Sequence, residues 1–352
     1  MKAIFSNNYS LALAHQRWDS GSYPVQHLYG AQALRAAGWD VRYAEHRRSD
    51  ERSRLLSRLP SSGLDRGQLA RLLLGAGPGA GPGDVDIAAE PFHVLALALA
   101  RTARLRRRPL VAVIHHLPPD RPHFRAMLRG IDVAVCLSQQ VQRRLVAEYG
   151  RAPSRTLWAP WGPDLGFAGY ASTGEQFVLS AGKTDRDVDT LAAALHGSGV
   201  PARVYGLRSC TDPTTVAVPT DVHADLGVGG GQQFAFEQVI TDLQRCAVVA
   251  IPLLRADRVL GLTELADALA LGKPVVMTAN PYIDVDLEAI GCGITVAPGD
   301  VQGWRAALQL LWNDPDRRRT MGLAGRAFAE QHWNAELFGA TMVQAAQLAA
   351  RP

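Results

Sequence analysis

Two stretches of this chain bring together residue types that suit phosphate chemistry. The first runs from Gly261 to Val276, GLTELADALALGKPVV. Leu265, Ala266, Leu269 and Ala270 recur at helical spacing, and Thr263 can serve as N-cap. Gly272 fits a left-handed stop, and Pro274 blocks continuation before a buried strand over Val275–Met277. A helix start of this kind presents unpaired N–H donors, here near Thr263, Glu264 and Leu265. With the partial positive charge of the helix end they can seat a phosphate. Asp267, about one turn further in, could accept from both hydroxyls of a ribose. The same pattern also fits a buried helix of an ordinary α/β domain.

The second stretch is Gly182-Lys183-Thr184-Asp185-Arg186, between an expected strand over Gln176–Ser180 and an expected helix through Leu191. Glycine lets a phosphate approach the backbone, and two neighbouring cations can neutralise a diphosphate. Lysine occurs only at positions 2, 183 and 273, so Lys183 departs from the arginine used almost everywhere else. A solvated charged turn is the alternative. His115 and His116 close the apolar run Leu110–Ile114, and the carboxyl ends of parallel strands face a ligand crevice. A hydrogen-bonded structural histidine is the alternative there.

The elements that must position these residues alternate strand and helix. Lys2–Ser6 opens as a strand, Asn7–Ser22 reads as a polar loop ending near Gly21, and a helix is expected from Tyr23 through Leu34 to Gly38. Val41–Ala44, Asp86–Ala89, Leu110–Ile114 and Asp132–Leu137 follow as strands, with helices over Phe92–Arg104 and from Ser138 to Tyr149. Residues 47–75 are Arg- and Leu-rich and expected to be helical. Within Thr156–Asp164, Pro160, Gly162 and Pro163 suit a hinge between domains. Beyond it, Ala202–Tyr205, Ala247–Pro252 and Gly293–Val296 are expected strands, 207–233 is expected to be irregular, and Val301–Leu348 is expected to be helical with a start at Asp314. The alternation predicts α/β domains with parallel sheets.

At 352 residues the chain suits two domains. No apolar run approaches the about 20 residues of a membrane span, and the first residues lack a signal-peptide pattern, so a cytoplasmic location is expected. Cys136, Cys210, Cys246 and Cys292 have no metal-type spacing; Cys136 and Cys246 read as buried thiols. The net charge of +4 is too small for a nucleic-acid partner. Arginines at 101, 104 and 106–108, and between 47 and 58, read as a solvated surface in preference to a membrane contact.

The run Asp267-Ala-Leu-Ala-Leu-Gly-Lys-Pro-Val-Val276 resembles the donor-binding motif of GT-B glycosyltransferases of the retaining family 4, with Asp in place of the usual Glu. Pro160, Gly162 and Asp164 match that family's Pro-Asn-Gly-x-Asp segment, with Trp161 replacing Asn. The resemblance implies two Rossmann-like doubly wound domains facing a cleft: an acceptor domain over 1–162, a donor domain over 163–330, and a last helix, 331–352, crossing back. It implies transfer of a sugar from a nucleoside diphosphate, most simply a UDP-sugar, to a small-molecule acceptor. Configuration would be retained, with no metal and no cofactor besides the nucleotide-sugar co-substrate.

On this resemblance Lys183 and Arg186 stabilise the leaving diphosphate, and His116 contacts the donor sugar. Gly21 lies near the diphosphate, and Gly182, Thr263, Glu264, Leu265 and Asp267 bind the donor. The family's first acidic residue falls on Val259, so Asp257 or Glu264 would have to replace it. The Arg, Ala and Gly usage suggests a GC-rich genome, and a secondary-metabolite acceptor is a reasonable expectation. A nucleotide-sugar 2-epimerase of the same fold and a non-catalytic nucleotide-sugar-binding partner remain alternatives. Either a monomer or a homodimer is expected.

Overall fold

The computed structural model describes residues 1–7, 9–44, 83–90, 95–104, 107–182, 184–207, 212–218 and 233–351. These form two compact units, one from the described residues of 1–161 and 335–351, the other from those of 162–334. The expected helix over 47–75, Cys210, Gly229–Gly231 and Lys183 lie outside the described residues.

The first unit contains β1 (Lys2–Ser6), α1 (Leu11–Asp19), α2 (Ala31–Ala36), β2 (Asp40–Tyr43), β3 (Val85–Ala88), α3 (Leu95–Thr102), β4 (Leu110–Ile114), α4 (Pro122–Arg129), β5 (Val133–Cys136), α5 (Gln139–Tyr149) and β6 (Thr156–Trp158). All strands are parallel, in the order β2-β1-β3-β4-β5-β6. Every residue of β3, β4 and β5 is buried, as a parallel sheet covered on both faces requires.

The second unit contains β7 (Val178–Ser180), α6 (Val188–Leu195), β8 (Ala202–Tyr205), β9 (Thr215–Val218), α7 (Gln233–Arg245), β10 (Val248–Ile251), α8 (Leu262–Ala270), β11 (Val275–Thr278), α9 (Leu287–Ile290), β12 (Gly293–Val296), α10 (Val301–Asn313) and α11 (Pro315–His332). Its parallel order is β12-β11-β10-β7-β8-β9. The order therefore reverses between β7 and β10. Trp304, Leu308 and Leu311 of α10 pack with Leu191 and Leu195 of α6 in its core.

The last helix, α12 (Ala335–Ala350), packs with the first unit, where Phe338, Met342, Ala345 and Ala346 are fully buried against α2 and the sheet. Gly30 makes this possible. Its φ is 79°, and a Cβ there would lie 2.7 Å from Cβ of Met342. Gly30→Ala would therefore combine a left-handed strain of about 1–2 kcal/mol with overpacking of similar size. We expect a loss of about 3 kcal/mol in denaturant unfolding, with the site residues of the second unit untouched.

Several sequence expectations are corrected. The expected loop over 7–22 contains α1, because Ser10 accepts from the Leu13 N–H (3.1 Å) and Leu11 and Ala14 are buried. The helix expected from Tyr23 to Gly38 breaks into a 3-10 turn over Val25–Leu28 and α2, separated by left-handed Tyr29 and Gly30. Strand β9 lies inside the segment expected to be irregular. By contrast, the helical stretch expected over 301–348 keeps its expected start at Asp314, which caps the second of three helices and accepts from Arg317 N–H at 2.9 Å.

The arginine cluster is only partly a solvated surface. Arg101 is pinned to Asp132 and the Gly130 carbonyl, and Arg108 pairs with buried Asp86 at 3.1 Å. Cys136, Cys246 and Cys292 are buried, and burial pushes each thiol up to about 12, which removes them as nucleophiles. Among the described residues no helix is long and apolar enough to cross a membrane.

Candidate functional site

The reversal of strand order between β7 and β10 marks where a doubly wound sheet opens a crevice beyond its carboxyl ends. Both stretches singled out in the sequence arrive there. The loop leaving β7 runs through Gly182 to Arg186, and the loop leaving β10 leads into α8. The two loops are stitched by backbone hydrogen bonds, Leu254 N–H to Asp185 O at 2.9 Å and Asp187 N–H to Pro252 O at 3.2 Å. A bridge between Arg186 and Leu253 joins them further.

Gly261 is the N-cap of α8, in left-handed conformation with φ 82°. A Cβ there would lie 2.7 Å from Ile251 Cγ2, so only glycine allows the helix to start this close to the end of β10. This corrects the expected cap. Thr263 is exposed and already inside the helix, so its hydroxyl does not cap it. Leu265 is corrected too. Its N–H donates to Gly261 O at 3.0 Å, and its side chain is fully buried. The N–H groups without an acceptor inside the helix belong to Leu262, Thr263 and Glu264.

Glu264 is buried, and Arg186 reaches it across the two loops. Arg186 Nε donates to Glu264 Oε2 at 3.0 Å; a second guanidinium N–H donates to the same oxygen, and a third to Thr184 O. Among the described residues the other carboxylate oxygen, Oε1, is buried and has no hydrogen-bond partner. Gly182 completes the group, since a Cβ at that position would fall 1.9 Å from Arg186 Nε and 2.3 Å from Glu264 Oε2. Lys183 lies outside the described residues, directly between Gly182 and Thr184. The site thus holds a helix tip, a guanidinium and a carboxylate with one unused oxygen, all within bonding contact.

Asp267, on the buried face of α8, accepts from Tyr170 Oη at 2.5 Å. Burial raises its carboxyl to about 7; the Tyr170 hydrogen bond opposes this and Glu264 adds to it. Tyr170 was not among the sequence candidates, because it sits in a linker with no periodic pattern. Asp257, the other proposed replacement for the missing acid, is exposed and held by Arg255 (2.7 Å) and Arg258 (3.4 Å). Val259 is half-buried.

In the first unit, His115 and His116 both follow the carboxyl end of β4 and are half-buried. His115 Nε2 lies 2.8 Å from Ala89 O, and its ring centroid lies 5.7 Å from that of Tyr29, which gives it a structural role. Gly21 has φ 72° and its N–H donates to Trp18 O at 2.8 Å. It closes α1, which accounts for a glycine there without reference to any ligand.

No protein-family model and no curated protein matches the sequence. Among solved structures the chain is similar to sucrose-phosphate synthase from Thermosynechococcus elongatus, with 15% identity and a TM-score of 0.71. It is similar to HepE from Anabaena in complex with UDP-glucose, at 15% and 0.65. A glycosyltransferase from Rickettsia africae follows at 12% and 0.66, and in all three cases the match covers 98% of each chain. These likenesses run the length of the chain, and its two parallel six-stranded sheets have the GT-B fold.

Proposed function

We propose that the protein is a glycosyltransferase that moves a sugar from a nucleoside diphosphate to a small-molecule acceptor, with UDP-sugars as the first donors to test. The observation that carries this reading is the meeting of Gly182, Arg186 and Glu264 at the first turn of α8, where the strand order of the second sheet reverses. HepE, whose fold the chain shares, is known in complex with UDP and with UDP-glucose.

Breaking an anomeric bond leaves the electron pair on the diphosphate. Fixed donors that meet this charge lower the barrier without reorganising. The N–H groups of Leu262, Thr263 and Glu264, the Arg186 guanidinium and Lys183 supply such donors, the work a divalent ion does at other sites. The family resemblance extends the proposal to retention of configuration and to independence of metal. A diphosphate on the helix tip would face the Glu264 carboxylate at close range, so the Arg186–Glu264 pair must part on binding. Arg186 turns to the phosphate, and Glu264, with Oε1 already unpartnered, turns to the hydroxyls of the donor sugar. Glu264 thereby takes the place of the acidic residue missing at Val259. Asp267 accepts from the ribose once Tyr170 yields its position.

Incubation with UDP-glucose and other nucleotide-sugars, following free UDP, tests the reading. Slow donor hydrolysis without acceptor is expected, because a site built to stabilise the leaving diphosphate also lets water attack. Accumulation of an epimeric donor, or tight binding with no UDP release, would overturn it in favour of an isomerase or an accessory binder.

A further inference from the structure

A second charged hollow lies in the first unit, at the amino-terminal ends of the strands, opposite the end that leads into His115 and His116. Its walls come from the residues just before three strands: Pro109 before β4, Asp132 before β5, and Ala152 and Arg155 before β6. The end of α12, at Ala349 and Arg351, completes it. The cavity measures about 500 Å³, and among the described residues it is lined by seven arginines and a single acid.

Local pairing does not balance this charge. The one acid, Asp132, is already used by Arg101 and by the Leu110 N–H at 2.7 Å. Arg125 is paired outward with Asp120 at 2.6 Å and lies over the Tyr149 ring at 5.0 Å. Among the described residues Arg151 is held by carbonyls alone, those of Leu128, Ile131, Asp132 and Arg155, and its Nε is buried with no partner. Arg155 donates to Leu348 O at 2.8 Å, which ties the end of α12 to the wall. Arg107, Arg129 and Arg351 are exposed at the rim.

Like charges gathered around a concavity repel one another, and a partly buried cation without a counter-charge is costly. Such an arrangement is stabilised when a multiply charged anion occupies the hollow. Guanidinium groups suit phosphate, because their planar fork donates to two oxygens at once. We infer that this cavity is a binding site for a small, multiply phosphorylated anion, separate from the nucleotide-sugar site proposed in the second unit. The cationic groups converge around a concave space, and for that reason a soluble polyphosphate is favoured over a flat membrane surface.

Calorimetric titration of the full chain with sodium tripolyphosphate at low salt tests this. The comparison uses Arg129→Ser/Arg351→Ser, two exposed positions outside the proposed transfer site, and Arg186→Ala in the second unit. The double variant should weaken binding at least about tenfold, since each lost contact is a charge-assisted hydrogen bond, while Arg186→Ala retains it. Arg129→Lys should recover part of the affinity, and this controls for a change in fold. Unchanged affinity in the double variant, or loss of binding in Arg186→Ala alone, would overturn the inference. So would absence of tripolyphosphate binding beside Arg129- and Arg351-dependent binding to phosphatidic acid vesicles. None of these outcomes depends on whether UDP-sugars are turned over.

Discussion

Arg186→Ala lowers donor turnover about 10²-fold or more, and it also destabilises the second unit. The first effect is that of removing one preorganised group from a developing negative charge. The second arises because Arg186 and Glu264 have side chains only 8% and 9% exposed. Removing the cation leaves a buried carboxylate with one oxygen already unpartnered, and breaking such a pair costs about 3–5 kcal/mol. The two effects separate in the double variant Arg186→Ala/Glu264→Ala, which removes both charges. Its melting temperature should recover most of the loss, while its turnover stays low. Lys183→Ala should also lower turnover about 10²-fold. Free-UDP assays beside thermal melts decide the matter. Near wild-type turnover in Arg186→Ala or Lys183→Ala would remove that residue from the mechanism.

What the sequence revealed of this site depends on how local each cause is. The helix, glycine stop and strand from Gly261 to Val276 were legible because spacing, Gly272 and Pro274 act within a few residues. Strands β4, β8 and β12 have the bounds expected from the sequence. The helix start was misplaced by two residues, because Gly261 caps through its left-handed backbone and close contact with Ile251, and Thr263 looked the better hydrogen-bonding cap. Gly30 was read through as helix because its reason is Met342, at the far end of the chain.

The cations of the 182–186 loop and the carboxylate at 264 were assigned to one hollow. That Arg186 neutralises Glu264 is not legible in the sequence, since the contact spans 78 positions. The assignment of opposite charges to a single site was the available signal. Tyr170 left no signal at all, being 97 positions from the carboxylate it holds and outside any periodic element.

Asp267 gives the second large effect, in the dependence of stability on pH. Its carboxyl titrates near 7 in the folded chain and near 4 when unfolded, chiefly because burial penalises the charge. Between these values the folded state holds a proton that the unfolded state has released. The stabilisation is therefore fully present below about pH 4 and is lost as pH rises through about 7. A rise of this size is worth about 4 kcal/mol over the window. Asp267→Asn keeps an oxygen to accept from Tyr170 and cannot ionise. The difference in unfolding free energy, variant minus wild type, should thus grow by about that amount from pH 4 to pH 8, whatever the other carboxylates do, because they are common to both. Parallel stability curves for the two proteins would show that Asp267 is ionised throughout. The same group ties stability to ligand binding. A ribose donating two hydroxyls to Asp267 favours the carboxylate, so nucleotide binding near pH 6 should expel a proton, and binding should strengthen as pH rises toward 7 and level off above it. Calorimetry of UDP-glucose, whose diphosphate has no group titrating near pH 6, in buffers of different ionisation enthalpy measures that proton, and Asp267→Asn should abolish it.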